Sequence, residues 1–254
     1  MKIARFSHRD AIRYGIVDDD ELVELSGDPI FAGLETTGQR IPLADVALLA
    51  PVIPRSKVVC VGKNYRAHAE EMGGEAPEAP LLFLKPNTSV IGPGDAIVRP
   101  PQSERTEYEG ELAVVIGRIA KNVAAEQASE YVFGYTVAID ATARDIQYAD
   151  GQWTRGKGFD TFCPLGPVIE TEFDVAAGRL TTRLNGEVRQ DAPLTEMIHS
   201  VPDIVAYASS AFTLLPGDVI LTGTPAGVGP FVAGDALEVE VSGIGTLRVG
   251  VRDA

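Results

Sequence analysis

The chain has 254 residues, with 36 acidic against 22 basic side chains and a formal net charge of −14. This length can form one large core with a small domain attached to it. The negative charge argues against nucleic acid and anionic membrane surfaces as partners, because both repel an acidic protein at long range.

The first fifty residues predict a small N-terminal domain that contains β-strands. Residues 14–25 form the pattern of a hairpin, with two apolar runs around the acidic turn Asp18-Asp19-Asp20. The proline-bounded segment 51–54 then marks a boundary, so we expect domains at residues 1–52 and 53–254. The N-terminus lacks the apolar stretch of a signal peptide, and no apolar run is long enough for a membrane span. The cytoplasm is therefore the expected location.

The second domain is predicted to consist mainly of strands. Short runs rich in Val and Ile, such as Val58–Gly62 and Tyr108–Ile116, are typical of strands. Helical periodicity is sparse, and its longer segments are Val123–Tyr131 and Val201–Leu214. The alternation of Leu237–Val241 predicts a strand with one solvated face. These patterns indicate a strand-rich α+β fold.

Three acidic residues lie where this domain is otherwise apolar. Glu109 and Glu111 fall within the run Tyr108–Ile116 and project from the same face of a strand. Asp140 ends the next strand-like segment and completes a set of three carboxylates if the two strands are neighbours. A Glu-x-Glu pair is most often a solvated strand face, but buried carboxylates require a cation or a basic partner. Oxygen ligands without Cys or His favour Mg²⁺ or Mn²⁺.

A histidine and a glutamate are paired on a short helical stretch, Asn64–Met72. His68 and Glu71 are three residues apart and hence on one face of the helix. Glu71 can orient His68 as a general base, although this spacing is more often a surface pair. Because Gly and Pro follow, residues 66–80 are predicted to be a mobile lid, a name used below for that segment.

The loop Gly223–Gly229 offers two interpretations. It follows a strand but contains Pro225, so it lacks the helix that a dinucleotide-binding motif must open. Its N–H groups and the Thr224 hydroxyl can bind a carboxylate, or it is a plain Gly/Pro loop; anion-binding loops and ordinary turns share this composition. The chain has no G-x-S-x-G or H-E-x-x-H motif, which argues against a serine hydrolase and a zinc protease.

Six motifs together resemble the fumarylacetoacetate hydrolase superfamily, in order, over roughly residues 55–251. They are Val61–Tyr65 with His68 and Glu71, Tyr108–Leu112, Gly134–Asp140 with Ala143–Asp145, Lys157–Asp160, Leu184–Glu187 and Leu221–Pro225. The first fifty residues resemble the small N-terminal domain of the shorter bacterial members. The resemblance implies a mixed β-sandwich or roll that usually forms homodimers.

The same resemblance implies roles for nine residues. It places a divalent cation, Mg²⁺ or Mn²⁺, on Glu109, Glu111 and Asp140. It makes His68, Glu71 and Lys157 catalytic and places Arg144, Gln147 and Thr224 against the substrate. Two of these have simpler alternatives: Lys157 in its Gly-flanked loop can be solvated, and Arg144 can pair with Asp145 or Asp140.

The implied activity is that of an enzyme acting on a 2-oxo acid or dicarboxylate through an enolate. Hydrolysis of the carbon–carbon bond of an acylpyruvate is expected first, because only hydrolysis requires the water that the dyad can activate. Decarboxylation of oxaloacetate and isomerisation of 2-hydroxyhepta-2,4-diene-1,7-dioate share the enolate and are close alternatives. A different class is a non-catalytic, metal-dependent dicarboxylate-binding protein, against which the dyad and Lys157 count.

Overall fold

Alternating apolar and polar residues at the N-terminus form antiparallel strands in the computed structural model, which describes residues 1–254. The strands are β1 (Lys2–His8), β2 (Ala11–Asp18), β3 (Glu21–Leu25), β4 (Thr36–Pro42) and β5 (Ala47–Leu49). The predicted hairpin is confirmed, because β2 pairs with β3 as far as Asp18 and Glu21. Asp19 supplies the positive φ, 53°, that this tight turn requires.

Fifteen further strands follow. The first eight are β6 (Val58–Gly62), β7 (Leu81–Lys85), β8 (Val90–Ile91), β9 (Ala96–Arg99), β10 (Thr106–Tyr108), β11 (Gly110–Ile116), β12 (Val132–Ile139) and β13 (Thr142–Ala143). The remaining seven are β14 (Cys163–Glu170), β15 (Arg179–Leu184), β16 (Glu187–Pro193), β17 (Val219–Leu221), β18 (Gly229–Pro230), β19 (Ala236–Val241) and β20 (Gly245–Asp253).

These strands form three sheets. The largest has the order β4-β3-β2-β1-β14-β12-β11-β17-β6-β7, with β5 beside β1 and β8 beside β14. A five-stranded sheet has the order β16-β15-β19-β20-β9, and a three-stranded sheet has the order β13-β10-β18. Most pairs are antiparallel, while β6–β17, β8–β14 and β9–β20 are parallel. The pairing of β1 with β14 joins the N-terminal strands to the largest sheet.

The main core lies between the largest sheet and the five-stranded sheet. Strands β11, β12 and β14 contact β15, β19 and β20, and Leu112, Val137 and Val239 are buried between them. On its other face β11 packs Ala113 and Val115 in a second buried cluster. Both faces of β11 are covered, which explains its continuous apolar sequence. The mixed, strand-rich α+β sandwich is the fold class predicted from the sequence.

The α-helices are short: α1 (Pro29–Ala32), α2 (Arg66–Glu71), α3 (Arg144–Asp150), α4 (Trp153–Lys157) and α5 (Val201–Ala211). Crossing a bilayer needs a longer apolar helix than any of these. Helix α5 begins at a capping box, in which the Ser200 and Asp203 side chains each bind the other's backbone N–H. It ends at Ala211, three residues before the predicted helix end at Leu214, because Phe212 takes an extended conformation.

The helix predicted at Val123–Tyr131 is instead a 3₁₀-helix over Ala125–Tyr131. The N–H of Asn122 donates to the carbonyl of Ser209 at 3.0 Å, and the N–H of Val123 donates to the Ser209 hydroxyl at 2.9 Å. These bonds tie the start of the segment to α5.

The predicted strand Tyr108–Ile116 is interrupted at Glu109, where the chain changes sheet. Tyr108 ends β10, which pairs with β13 and β18, whereas Gly110 begins β11, which pairs with β12 and β17. The carbonyl of Glu109 accepts a hydrogen bond from the N–H of Asp140 at 2.8 Å. This crossing point brings the two acidic residues side by side.

Candidate active site

The structure brings the three predicted carboxylates together. One oxygen each from Glu109, Glu111 and Asp140 lies within 4.8 Å of the others. All three residues are at least 96 % buried, so the alternative of a solvated strand face is wrong. The name carboxylate cluster is used below for these three side chains.

Two buried lysines offset part of the negative charge of this cluster. The Nζ of Lys157 donates to Glu109 Oε2 at 2.7 Å and to Asp140 Oδ2 at 2.9 Å. The Nζ of Lys85 lies 2.6 Å from Asp140 Oδ1 in an ion pair that lacks hydrogen-bond geometry. It also donates to the carbonyls of Ala141, at 3.2 Å, and Lys157. Lys157 is thus not a solvated loop residue.

The pairs keep Glu109 and Lys157 charged. Burial raises the pKa of Glu109, but Lys157 and Arg144 outweigh it and hold that pKa well below the ordinary range. Burial lowers the pKa of Lys157, but the Asp140 and Glu109 charges outweigh it and raise the pKa overall. A carboxylate and an ammonium therefore face each other over the whole physiological pH range.

Glu111 differs from its neighbours because no cationic side chain pairs with it. Its Oε2 accepts one hydrogen bond, from the N–H of Gly223 at 2.6 Å. Burial, and then the charges of Asp140 and Glu109, raise the pKa of Glu111 well above its usual value. A hard divalent cation would relieve this repulsion, and the cluster offers only the oxygen ligands that such an ion prefers. The cluster therefore fits Mg²⁺ or Mn²⁺.

Arg144 connects the cluster to a fourth buried acid, Glu107. Its Nε donates to Glu107 at 2.6 Å, its Nη2 to Glu109 at 2.7 Å and its Nη1 to Gln147 Oε1 at 2.7 Å. The expected alternatives, pairing with Asp145 or Asp140, are wrong. Arg144 opens α3 and turns toward β10 and β11, whereas the Asp145 carboxylate binds the segment before β10, at the hydroxyl of Ser103 and the N–H of Glu104.

The histidine and glutamate of α2 form a dyad. His68 Nδ1 lies 3.3 Å from Glu71 Oε2, and Nε2 has no protein partner. His68 is only 5 % exposed, whereas the Glu71 side chain is 35 % exposed, so the pair joins a buried imidazole to a solvent-accessible carboxylate. Because a carboxylate beside Nδ1 favours the proton on that nitrogen, Nε2 keeps a free lone pair. The N–H of Gly227 donates to both Glu71 oxygens, at 3.1 and 3.2 Å.

The loop after β17 binds carboxylates of its own chain. The N–H of Gly223 binds Glu111 and the N–H of Gly227 binds Glu71, which favours the anion-binding interpretation over a plain loop. The Thr224 hydroxyl donates to the carbonyl of Gly110 at 2.8 Å and accepts from Gln190 at 2.7 Å. The loop therefore holds both the cluster and the dyad in place.

Most of the predicted site residues line one cavity of about 120 Å³, called the main cavity below. Those that line it are His68, Glu109, Glu111, Arg144, Gln147, Lys157 and Thr224. Asp140 and Glu71 do not line it, but Asp140 accepts a hydrogen bond from Lys157 and Glu71 faces the ring of His68. Phe83 and Trp153 form an apolar wall, with the Lys157 Nζ 5.1 Å from the centre of the Phe83 ring. The cavity is thus lined by charged side chains and by aromatic ones.

Two residues of this network were missed in the sequence. Lys85 ends the apolar run of β7, where a lysine is ordinarily exposed, so the sequence gives no sign that this one is buried. Glu107 begins a series of alternating glutamates that continues with Glu109 and Glu111, which an uninterrupted strand would place on one face. That alternation is readable in the sequence, but Arg144, the buried partner of Glu107, lies 37 residues away.

Comparisons with known proteins bear on this site. The family described as fumarylacetoacetate (FAA) hydrolase C-terminal matches residues 57–252, and the Rv2993c-like N-terminal family matches residues 1–51. Protein Rv2993c of Mycobacterium tuberculosis is 50 % identical over 97 % of this chain and 96 % of its own length. The mitochondrial oxaloacetate tautomerase Fahd2a of Rattus norvegicus is 42 % identical over 82 % of this chain and 70 % of its own.

Solved structures show the same fold over the whole chain. The 5-carboxymethyl-2-hydroxymuconate delta-isomerase from Mycobacterium smegmatis is 46 % identical, with a TM-score of 0.94 and complete coverage of both chains. The maleylpyruvate hydrolase from Sphingobium sp. SYK-6, in complex with manganese(II) and pyruvate, is 33 % identical, with a TM-score of 0.84 and complete coverage of both. The chain belongs to the fumarylacetoacetate hydrolase family.

Proposed function

We propose that this protein is a divalent-metal-dependent enzyme that moves a proton between the enol and keto forms of a 2-oxo dicarboxylate. The observation that carries the proposal is that the His68–Glu71 dyad, the Lys157 ammonium and the carboxylate cluster converge on the main cavity. A proton carrier and a stabiliser of negative charge are the two groups that enolate chemistry requires.

The metal would be held by Glu109, Glu111 and Asp140. When bound there, a divalent cation supplies a Lewis acid that polarises the 2-oxo group of the substrate. The Glu111 carboxylate, which no cationic side chain pairs with, supports this assignment, since burial and then the Asp140 and Glu109 charges raise its pKa and a bound cation would oppose both effects. Gln147 and Thr224, two further residues predicted to contact the substrate, line the same cavity. The Gln147 amide nitrogen has no protein acceptor, whereas the Thr224 hydroxyl is already bound on both sides.

Lys157 stabilises the enolate. Its ammonium remains charged, is almost fully buried and lines the cavity, so its interaction with a developing oxyanion is little screened by water. Lys85 binds the backbone carbonyl of Lys157 and pairs with the Asp140 carboxylate. These two contacts hold the Lys157 ammonium in position.

His68 transfers the proton. With Glu71 at Nδ1, the free Nε2 lone pair takes a proton from the carbon next to the 2-oxo group and returns it to another position of the same enolate. Glu71 stabilises the imidazolium that forms, as the carboxylate does in a Ser-His-Asp triad. The names of the tautomerase and the isomerase, both more than 40 % identical to this chain, support enol–keto chemistry.

Acylpyruvate hydrolysis, the reaction expected first from the sequence, is the second candidate function. The same dyad can remove a proton from water, and the resulting hydroxide would attack the distal carbonyl of a fumarylpyruvate-like substrate. The maleylpyruvate hydrolase supports this candidate at lower identity, 33 %.

A substrate panel separates these functions. Purified protein is given Mg²⁺ or EDTA and assayed with enol-oxaloacetate, 2-hydroxyhepta-2,4-diene-1,7-dioate and fumarylpyruvate. We expect Mg²⁺-dependent ketonisation or isomerisation that exceeds the rate of fumarylpyruvate cleavage. Cleavage alone would establish the second candidate, and release of CO₂ alone would indicate a decarboxylase. Binding without turnover of any substrate would identify a dicarboxylate-binding protein and overturn both proposals.

A further inference from the structure

A second cavity of about 280 Å³ adjoins the main cavity. We infer that this second cavity binds the far carboxylate of the substrate, and that Arg105 is the side chain that recognises it. The inference rests on the proposed function and narrows its substrate class to 2-oxo dicarboxylates longer than oxaloacetate.

The two cavities are neighbours. Met72, Arg144 and Tyr148 line both of them, so these side chains form the boundary that a ligand would pass to occupy both cavities. The second cavity is otherwise lined by Glu71, Arg105, Glu107 and Val228. Two of its lining residues, Glu71 and Met72, belong to the lid, at the end of α2.

Arg105 is anchored at one nitrogen of a side chain that is otherwise largely exposed. Its Nε donates to Glu107 Oε1 at 2.6 Å, and Glu107 is itself 97 % buried and bound to Arg144 at 2.6 Å. The carbonyl of Arg105 accepts the N–H of Arg144 at 2.8 Å, which also fixes its backbone. Both terminal amino groups of Arg105 lack a protein acceptor. They form the edge of the guanidinium that matches a carboxylate with two parallel hydrogen bonds.

The other charged groups of the second cavity are already engaged. Each side-chain nitrogen of Arg144 donates to a protein oxygen, on Glu107, Glu109 or Gln147. The Glu71 carboxylate accepts from Gly227 and faces His68. Arg105 is therefore the cation in this cavity that can bind a ligand without breaking a buried ion pair.

Arg105 is set apart from the carboxylate cluster by intervening side chains. Three successive ion pairs connect them: Arg105–Glu107 at 2.6 Å, Glu107–Arg144 at 2.6 Å and Arg144–Glu109 at 2.7 Å. A ligand with its 2-oxo acid end at the cluster therefore reaches Arg105 only past Glu107 and Arg144, which favours a long dicarboxylate. The two carboxylates of oxaloacetate are too close together for that, whereas those of a hepta-diene-dioate are farther apart.

Calorimetric titration of the Mg²⁺-loaded protein tests the inference with three ligands. Oxalate mimics the 2-oxo acid end alone, 2-oxoadipate adds a far carboxylate, and 2-oxohexanoate has the same length without it. Wild type should prefer 2-oxoadipate to 2-oxohexanoate by about tenfold or more, the effect of one charge-assisted pair. Arg105→Gln should abolish this preference and leave oxalate affinity within about twofold.

The control is Arg248→Gln, because Arg248 makes the same kind of Nε pair, with Glu238 at 2.9 Å, and is similarly exposed, but lies on β20 away from both cavities. It should retain the preference. A preference that survives in Arg105→Gln, or an equal loss for oxalate and 2-oxoadipate, would overturn the role of Arg105. Failure of wild type to bind oxalate with Mg²⁺ would instead overturn the proposed function on which the inference rests.

Discussion

Replacing Lys85 with methionine removes the buried ammonium behind the carboxylate cluster and keeps the length of the side chain. The Nζ of Lys85 is 2.6 Å from Asp140 Oδ1 and also binds the carbonyls of Ala141 and Lys157. Two unit charges at that distance attract by about 6 kcal/mol at an effective dielectric constant of 20. The desolvation of the ammonium offsets part of this, so we expect a loss of about 3–5 kcal/mol in the free energy of unfolding.

Magnesium should reduce that loss. Without Lys85, the cluster carries one more uncompensated negative charge and therefore binds a divalent cation more tightly. Binding to the folded state alone stabilises it, by about 2.7 kcal/mol when the free ion is at a hundred times its Kd. Mg²⁺ should consequently stabilise Lys85→Met more than it stabilises wild type.

Urea unfolding in EDTA and in Mg²⁺ measures both effects. Lys57→Met is the matched control, because Lys57 Nζ lies 2.6 Å from the buried Asp218 in a pair outside the main cavity. That variant should lose less, since Asp218 also accepts from Ser56 and Leu215, and Mg²⁺ should leave its loss unchanged. Equal losses with and without Mg²⁺ in Lys85→Met would refute the coupling of Lys85 to a metal site.

Three further predictions concern the dyad, the lid and pH. His68→Ala should slow ketonisation and hydrolysis roughly a hundredfold and decarboxylation less, because only the first two need a proton carrier at carbon or water; His8→Ala is the control, and equal losses would make His68 a binding residue. Amides of the lid should exchange hydrogen more slowly with Mg²⁺ and oxalate than without, and unchanged protection would exclude lid closure. Because burial and the neighbouring carboxylates raise the pKa of Glu111, the metal must displace its proton at low pH, so Mg²⁺ affinity should still be rising with pH above the ordinary titration range of a glutamate. Titration at several pH values checks this, and a flat profile would contradict it.

The sequence predicted those parts of the site that depend on local pattern. The alternation of Glu109 and Glu111 in an apolar run indicated two carboxylates on one face, and the spacing of His68 and Glu71 indicated a pair on one side of a helix. The same reasoning identified β19, where Leu237 and Val239 are buried and Glu238 is not. Each of these features depends only on the residue repeat of the strand or helix that carries it.

The parts that could not be predicted depend on which distant segments meet. The sheet change at Glu109 follows from the pairing of β10 with β13 and of β11 with β12, and no local pattern specifies it. The partner of Arg144 was missed for the same reason, because Glu107 is 37 residues away while Asp145 is adjacent. The Lys85 pair with Asp140 likewise joins two strand ends that only the completed sheet brings together.

The most direct test of the metal-dependent site is calorimetric titration of Mg²⁺ and Mn²⁺ into wild type and Glu111→Gln. Glutamine can keep an acceptor for the N–H of Gly223 and removes the repelling charge, so the variant should fold at least as stably as wild type without metal. Glu238→Gln, on the surface of β19, is the control for loss of a carboxylate. Wild type and the control should bind one ion per chain, and Glu111→Gln should lose most of that affinity. Affinity in folded Glu111→Gln equal to that of wild type would contradict a metal site at Glu109, Glu111 and Asp140.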